Sequence, residues 1–286
     1  MSRTLLRVRN VAKAWLLLAG FCALLAIVPL LAGNYRLLSV FVFAALLLAG
    51  ALYVYADRIA LGMLGARELV RGEAPAVHAT LERLAARAGV PKPKLYLLRD
   101  GYPRALAAGR GPRGAAIAVS RGLLSVAAPA ELEGVLAHEL AHIRDRDVLV
   151  QTTVAVVAAA LVELSRVGGF LQRALLFVLA PLAAAIVHLM LSPKREFLAD
   201  EAAAVICDSP HGLADALIRL EQTSELVDFQ ASPASEPLYT VNPFEEDGLA
   251  ALFVTHPPIG ERVQRLRALD PLWREKLSGD LERLSA

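Results

Sequence analysis

The feature that most constrains this chain is a pair of long uncharged runs. Between Lys13 and Arg36 stands "AWLLLAGFCALLAIVPLLAGNY", and between Arg36 and Asp57 stands "LLSVFVFAALLLAGALYVYA". A helix needs roughly 20 apolar residues to cross about 30 Å of hydrocarbon, and only a helix or a closed barrel satisfies its own backbone there. Each run is long enough, and the two together predict a membrane hairpin over residues 1–57. A cleaved leader is disfavoured because its apolar core would be too long and a second span follows at once. Composition agrees: 56% of residues are hydrophobic, 20% charged, and mean hydropathy is +0.49. A net charge of +2 gives no footprint for nucleic acid. Cys22 and Cys207 are too far apart in sequence to read as a metal pair or disulfide framework, which suits a reducing compartment.

Two further apolar runs, residues 148–162 and 174–193, predict a second hairpin over residues 148–193. The first of these is short for a crossing, so a re-entrant segment is the alternative. His188 in the second reads as a histidine facing a neighbouring helix. Lys and Arg are dense before residue 14 and after Asp57, while the first turn holds only Arg36. The positive-inside rule then places the N-terminus and the region after residue 57 on the cytoplasmic side.

The polar segments read as two parts of one α+β domain, residues 58–147 and 194–286. "EAPAVHATLERLAARAGV" has helical spacing, with Pro75 near its start and Gly89 at its end. "PKLYLL" and "GAAIAVS" read as short strands flanking the turn "GRGPRG". Pro129 opens another helix, with Glu131 and Glu133 near the positive end of its dipole. "KREFLADEAAAVI" and "GLADALIRLEQTSEL" are helical, residues 228–249 read as an exposed loop open to self-cleavage, and closing helical turns follow.

The helix from Pro129 carries "VLAHELAHIRDRDVLV". His138 and His142 are four residues apart, so they leave one helix face about 40° apart and can take adjacent corners of a zinc tetrahedron. Glu139 stands beside the open corner as the base that takes a proton from the attacking water and passes it to the leaving amine. A catalytic zinc needs a third protein ligand. In "SPKREFLAD", Glu196 and Asp200 are also four apart. Glu196 is expected as the third ligand, with Asp200 accepting from the far ring N–H of a ligating histidine. Two apolar runs separate His142 from Glu196, so the chain returns to the side it left. One zinc per chain is expected.

The N-terminal apolar hairpin, "GVLAHELAHIRDRD", the second hairpin, "REFLAD" and "THPPIGERVQRL" together resemble the HtpX-type integral-membrane zinc metallopeptidases, relatives of the CAAX prenyl proteases. The resemblance covers nearly the whole chain. It implies a mainly α membrane protein, with four apolar helices in two hairpins and a cytoplasmic zincin-like catalytic domain. It implies a zinc metalloendopeptidase, multi-pass in a bacterial inner membrane, that degrades damaged or misfolded membrane proteins. The roles of His138, His142, Glu196 and Glu139 are the same on this footing. His256 is implied as a hydrogen-bond donor to the oxyanion, a capping histidine beside Pro257 being the alternative, and Arg262 as the partner of a site carboxylate. The family's Asn-Ala-Phe-like substrate segment falls at "YPRALAAG", with Arg104 at the Asn place and Ala105 and Ala107 following. The strand at residues 115–120, centred on Ile117, is expected to offer an edge for an extended substrate. Other readings of the chain are a CAAX-type protease, an intramembrane metalloprotease and a non-catalytic membrane scaffold with a structural metal site. The charge of "AELEGVLAHELAHIRDRD" argues against lipid burial of the motif. The sequence is silent on oligomeric state.

Overall fold

The computed structural model describes residues 3–31, 33–166, 172–224 and 256–270. It is mostly helical with one small mixed sheet. Helices α1 (Arg3–Leu31) and α2 (Tyr35–Met63) correspond to the first two apolar runs and pack as a hairpin. Asn34 caps α2 by accepting from the Leu37 N–H. α2 continues past Asp57, carrying the helix beyond the boundary expected from charge. Among the described residues no single helix is long and apolar enough to cross a membrane. Two parts of α2, Arg36–Ala51 and Tyr53–Met63, meet that test together with a 65° bend between them.

Strand β1 (Arg67–Glu68) precedes α3 (Pro75–Ala88), which starts at a proline and ends at Gly89 with φ 69°. Strands β2 (Lys94–Leu98), β3 (Ala105–Gly109) and β4 (Ala115–Ser120) complete a sheet of order β1-β2-β4-β3. β4 runs parallel to β2 and antiparallel to β3. This corrects one expectation: β4 is an interior strand. Ile117 lies between Leu95 and Ala107, fully buried, so its backbone cannot serve as a substrate edge. The sheet's outer strand on that side is β3, whose run of Ala and Gly gives little strand signal.

Both faces of the sheet are covered. Leu95, Leu97, Ala107 and Ile117 face the main core with α3 and α5 (Pro129–Asp145). Leu98, Leu106, Ala116 and Ala118 face the end of α2 and Ala155 and Val156 of α6 (Asp147–Arg166). The short helix α4 (Arg121–Val126) leads from β4 toward α5 and is capped by Ser120 accepting from the Leu123 N–H. α6 and α7 (Gln172–Met190) pack through Val154, Val157, Ala158 and Leu161 against Ala183, Ala184 and Val187. His188 is on the exposed face of α7.

The chain re-enters the main core as α8 (Pro193–Cys207), α9 (His211–Ser224) and α10 (Ile259–Ala268). α5 is the central rod, buried at every position from Gly134 to Asp145. It approaches α9 closely because two positions lack a Cβ. A methyl at Gly134 would lie 2.4 Å from the Leu213 nitrogen, and one at Gly212 2.3 Å from the Ala130 oxygen. Cys22 and Cys207 are free thiols. The expected loop at residues 228–249 and the helical turns after Asp270 lie outside the described residues.

Candidate metal centre

Two helices bring the expected ligands together. α5 presents His138 and His142 on one face, and the first turn of α8 presents Glu196 opposite them. Ser192 precedes this turn in an extended conformation and Pro193 opens it, which fixes where Glu196 falls in α8. All three side chains are buried, and their ligand atoms lie within 4.8 Å of one another. The two Nε2 atoms are 3.1 Å apart with the rings near perpendicular. Glu196 Oε2 is 3.5 Å from His138 Nε2, and Oε1 is 3.6 Å from His142 Nε2.

The outer ring nitrogens fix the chemistry. His138 Nδ1 lies 2.9 Å from Asp200 Oδ1, as the four-residue spacing on α8 predicts. His142 Nδ1 lies 3.4 Å from Asp147 Oδ2. A carboxylate facing Nδ1 keeps the proton there and leaves the Nε2 lone pair inward. Two such lone pairs then face each other beside a carboxylate. That arrangement is repulsive unless positive charge sits between them. Both Glu196 oxygens are buried and accept no hydrogen bond among the described residues. Arg195 and His256 stand within 3.2 Å of these oxygens but not in hydrogen-bond geometry, and a cation at the focus of the three groups gives the buried acceptors a partner. The residues present therefore fit a metal ion.

The titration behaviour has the same cause. Burial works to raise the Glu196 carboxyl, but the facing His256 and His142 hold it well below the usual carboxylate range. Burial works to lower His142, but the charge of Glu196 and the bond to Asp147 push it up to about 10. His138 is likewise raised, burial being outweighed by Asp200 and Glu196. The pocket draws positive charge, as protons where no metal is held.

Asp200 is also the partner expected for Arg262. Arg262 Nε donates to Oδ2 at 2.9 Å and Nη2 to Oδ1 at 2.7 Å, from a guanidinium with no exposed surface. His256, at the turn before α10, places Nδ1 3.1 Å from Glu196 Oε2. Glu139 is buried on α5, near enough to Arg262 to raise its basicity. His256 and Glu139 thus join the cluster.

Arg104 is buried, and its Nη2 donates to Asp100 Oδ2 at 2.6 Å. Its backbone pairs with Ser120, whose N–H donates to the Arg104 oxygen at 2.9 Å. Alternation along β3 then turns the peptide groups of Ala105, Ala107 and Gly109 away from β4. The Gly109 N–H takes Thr152 Oγ1 of α6.

Sequence reasoning missed Asp147, Asn10 and Arg195. The motif helix does not run straight into the apolar segment. Arg146 adopts φ 61°, α5 stops, and α6 begins afresh at Asp147, which swings that carboxylate back toward His142. Asn10 of α1 donates to Asp147 Oδ1 and to the Asp145 oxygen. Arg195 Nε pairs with Glu196 Oε1 at 3.2 Å. The one sequence signal for Asp147 was the alternating "RDRD", which reads as a solvated charge run.

Comparison with known proteins gives the same picture. A "Protease HtpX homolog" of Pelotomaculum thermopropionicum is 39% identical over 278 residues, covering 91% of this chain and 99% of its own. That of Sulfurihydrogenibium sp. is 39% identical over 285 residues, covering 91% and 96%. That of Pyrococcus abyssi is 42% identical over 234 residues, covering 76% and 81%. A crystal structure of S. mikatae Ste24p aligns with 91% of this chain and 66% of its own, at 20% identity and a TM-score of 0.48. The model of "Peptidase family M48" matches residues 71–270. The chain belongs to peptidase family M48 and is a metalloprotease.

Proposed function

We propose that this protein is a membrane-embedded zinc endopeptidase whose ion is held by His138, His142 and Glu196. The observation that carries the reading is the convergence of two imidazole Nε2 atoms on a buried carboxylate that accepts no hydrogen bond among the described residues. Spacing favours zinc. Bonds of about 2.0–2.1 Å at tetrahedral angles separate neighbouring ligand atoms by about 3.3–3.4 Å. Here the two Nε2 atoms stand 3.1 Å apart, and His138 and His142 stand 3.5 and 3.6 Å from Oε2 and Oε1 of Glu196 respectively.

Zinc at this position supplies a Lewis acid that polarises the scissile carbonyl and lowers the pKa of water to about 7. The chain's own residues do the rest. Glu139 takes the proton of the attacking water and returns it to the leaving amine. His256 donates toward the oxygen on which negative charge develops. Asp200 and Asp147 hold the ligating rings in the required tautomer, and Arg262 fixes Asp200. The substrate is met near the head of β3, where Arg104 orders the strand through Asp100 and Ser120.

Residues 1–57 and 148–193 form two membrane hairpins, and residues 58–147 and 194–286 form the catalytic domain on the cytoplasmic side. The surface of α1 and α2 supports this. Trp15, Leu16, Val40, Phe43, Leu46 and Leu47 are all more than half exposed. A contiguous apolar surface of that kind on a water-facing protein is a liability, and in lipid it is not. Alongside the HtpX relatives, the substrates are damaged or misfolded membrane proteins of a bacterial inner membrane. Those relatives match across nine-tenths of this chain, which favours this reading over prenyl-protein processing.

The test is metal analysis with casein cleavage in detergent. Wild type should hold one zinc per chain. Glu139→Gln should keep the zinc and lose about 10²–10⁴-fold in rate. Glu196→Ala should lose the metal. Equal cleavage by wild type and Glu139→Gln removes the assigned mechanism, and full zinc retention by Glu196→Ala removes the assigned ligand.

A further inference from the structure

A second site lies beside the metal centre, near the starts of α1 and α6, where α7 ends and α8 begins. A cavity of about 160 Å³ is bounded there by Arg9, Lys13, Lys194 and Arg195, with Asp147 as its one carboxylate. Asp147 is already engaged by Asn10 and His142. Arg9 and Arg195 both stand close enough to Lys13 to repel it. Arg195 pairs through Nε with Glu196 and Lys13 donates to the Met190 oxygen at 2.7 Å, and four cations lining one small space with one carboxylate still give it a positive potential that favours an anion.

Two independent observations point to a ligand. The Arg195 side chain is only 10% exposed, and its buried Nη1 has no hydrogen-bond partner among the described residues. A buried guanidinium N–H without an acceptor is costly and is satisfied by an oxyanion. The cavity is also walled by the N-terminus of α8, fifteen residues long, whose N-cap Ser192 makes no side-chain capping bond. Helix N-termini of this kind favour phosphate.

The rest of the lining selects among phosphates. Val150, Met190 and Leu191 give the cavity an apolar wall at the level where the helices end. Leu189 and Leu198 beside it are 74% and 47% exposed. A free phosphate has no use for that surface, whereas a phosphodiester with attached acyl chains covers it.

We propose that this cavity binds the phosphodiester headgroup of an anionic phospholipid such as phosphatidylglycerol. This rests on the membrane reading given above. The headgroup sits between α1 and α8, with the acyl chains following the exposed apolar faces of the helices. Basic pockets between membrane helices on the cytoplasmic side recognise anionic headgroups by the same chemistry.

The test uses the full-length, metal-loaded chain in neutral detergent, with bound lipid counted by native mass spectrometry. The probes are dihexanoylphosphatidylglycerol, dihexanoylphosphatidylcholine and inorganic phosphate. Saturable binding of the glycerol lipid, none of the choline lipid, and no competition by equimolar phosphate are expected. Arg9→Gln with Lys194→Gln should weaken binding about 30-fold, and Lys194→Gln alone about fivefold. Arg71→Gln with Lys92→Gln, on a remote surface, should change nothing. The exposed single variant keeps the test valid should the double variant fold poorly. Equal binding of both lipids, full displacement by phosphate, or unchanged binding by Lys194→Gln each overturns the proposal. Carbonate extraction of membranes tests the underlying reading separately: a chain that leaves the pellet is not membrane-embedded, whatever it binds.

Discussion

Asp200 offers a test that separates metal binding from stability. Its two oxygens serve His138 at 2.9 Å and Arg262 at 2.7 and 2.9 Å, all in a buried setting. Asp200→Asn keeps the shape but not the charge: its oxygen at the Oδ1 place can still accept from His138 and Arg262 Nη2, while its NH2 faces the Arg262 Nε–H, donor against donor. Two losses follow. The His138 ring loses its anionic anchor, which weakens metal affinity by about 10–100-fold. Arg262 keeps its charge without a counter-ion, at a cost of about 3–5 kcal/mol. For a chain of this size that lowers the melting temperature by on the order of 10 °C. Melting must be followed with chelator present, because bound metal itself stabilises the folded state. Metal affinity is read by competition with a chromophoric chelator in detergent.

The decisive comparison is the double variant Asp200→Leu with Arg262→Met. It removes both charges from the buried site, and replacing a buried pair by apolar residues is often neutral or stabilising. Melting should recover most of the loss seen in Asp200→Asn. Metal affinity should not recover, because His138 still lacks its anionic anchor. Recovery of both together would mean that Asp200 serves stability alone and does not orient the ring.

Three further outcomes are expected. Gly134→Ala should destabilise the protein by about 1–3 kcal/mol, since the added methyl meets the backbone of α9 at 2.4 Å; a melting temperature within 1 °C of wild type, about that of an unperturbed surface site, would contradict the close approach. The Glu131 carboxyl accepts from the Ala128 N–H and from Arg219, and although burial works to raise it, these bonds hold it below 4.5. A group lowered on folding stabilises the protein above its unfolded pKa and loses that contribution as pH falls through the folded one, so wild type should lose more stability below about pH 4.5 than Glu131→Gln in parallel acid melts. Leu106→Pro removes an N–H on the side of β3 that faces β4 and puts a ring at a fully buried position, so it should unfold the sheet edge; an unchanged melting temperature would contradict the pairing of β3 with β4.

Much of the centre was legible because helical spacing is a strong local code. His138 and His142, and Glu196 and Asp200, are each four apart, and that places each pair on one face before any fold is known. Pro75, Gly89, Pro129 and Pro193 marked helix ends for equally local reasons. β3 was not legible. "ALAAG" has poor strand propensity, but it is buried at every position, where small side chains let α5 and α6 close over it. Without β3, the strand at residues 115–120 took the edge position that the outer strand holds. The break at Arg146 was equally hidden, because a non-glycine residue in the left-handed region carries no sequence mark.

That break has a consequence for how the site is built. A continuous helix through Arg146 would place Asp147 five residues beyond His142, about 140° around the axis and away from its ring. Stopping α5 and restarting at Asp147 returns the carboxylate to His142 and gives it a second partner, Asn10, from 137 residues away in sequence. Glu196 is approached by Arg195, which also lines the cavity near the starts of α1 and α6 and the end of α7. Each of these two metal ligands is therefore steadied by a residue at the point where an apolar helix begins or ends. His138, by contrast, is steadied from within the polar domain by Asp200 and Arg262. The apolar helices thus supply part of the scaffold around the proposed ligands His142 and Glu196. Excising them would remove the support of His142 and alter that of Glu196, even if the main core around α5 still folded.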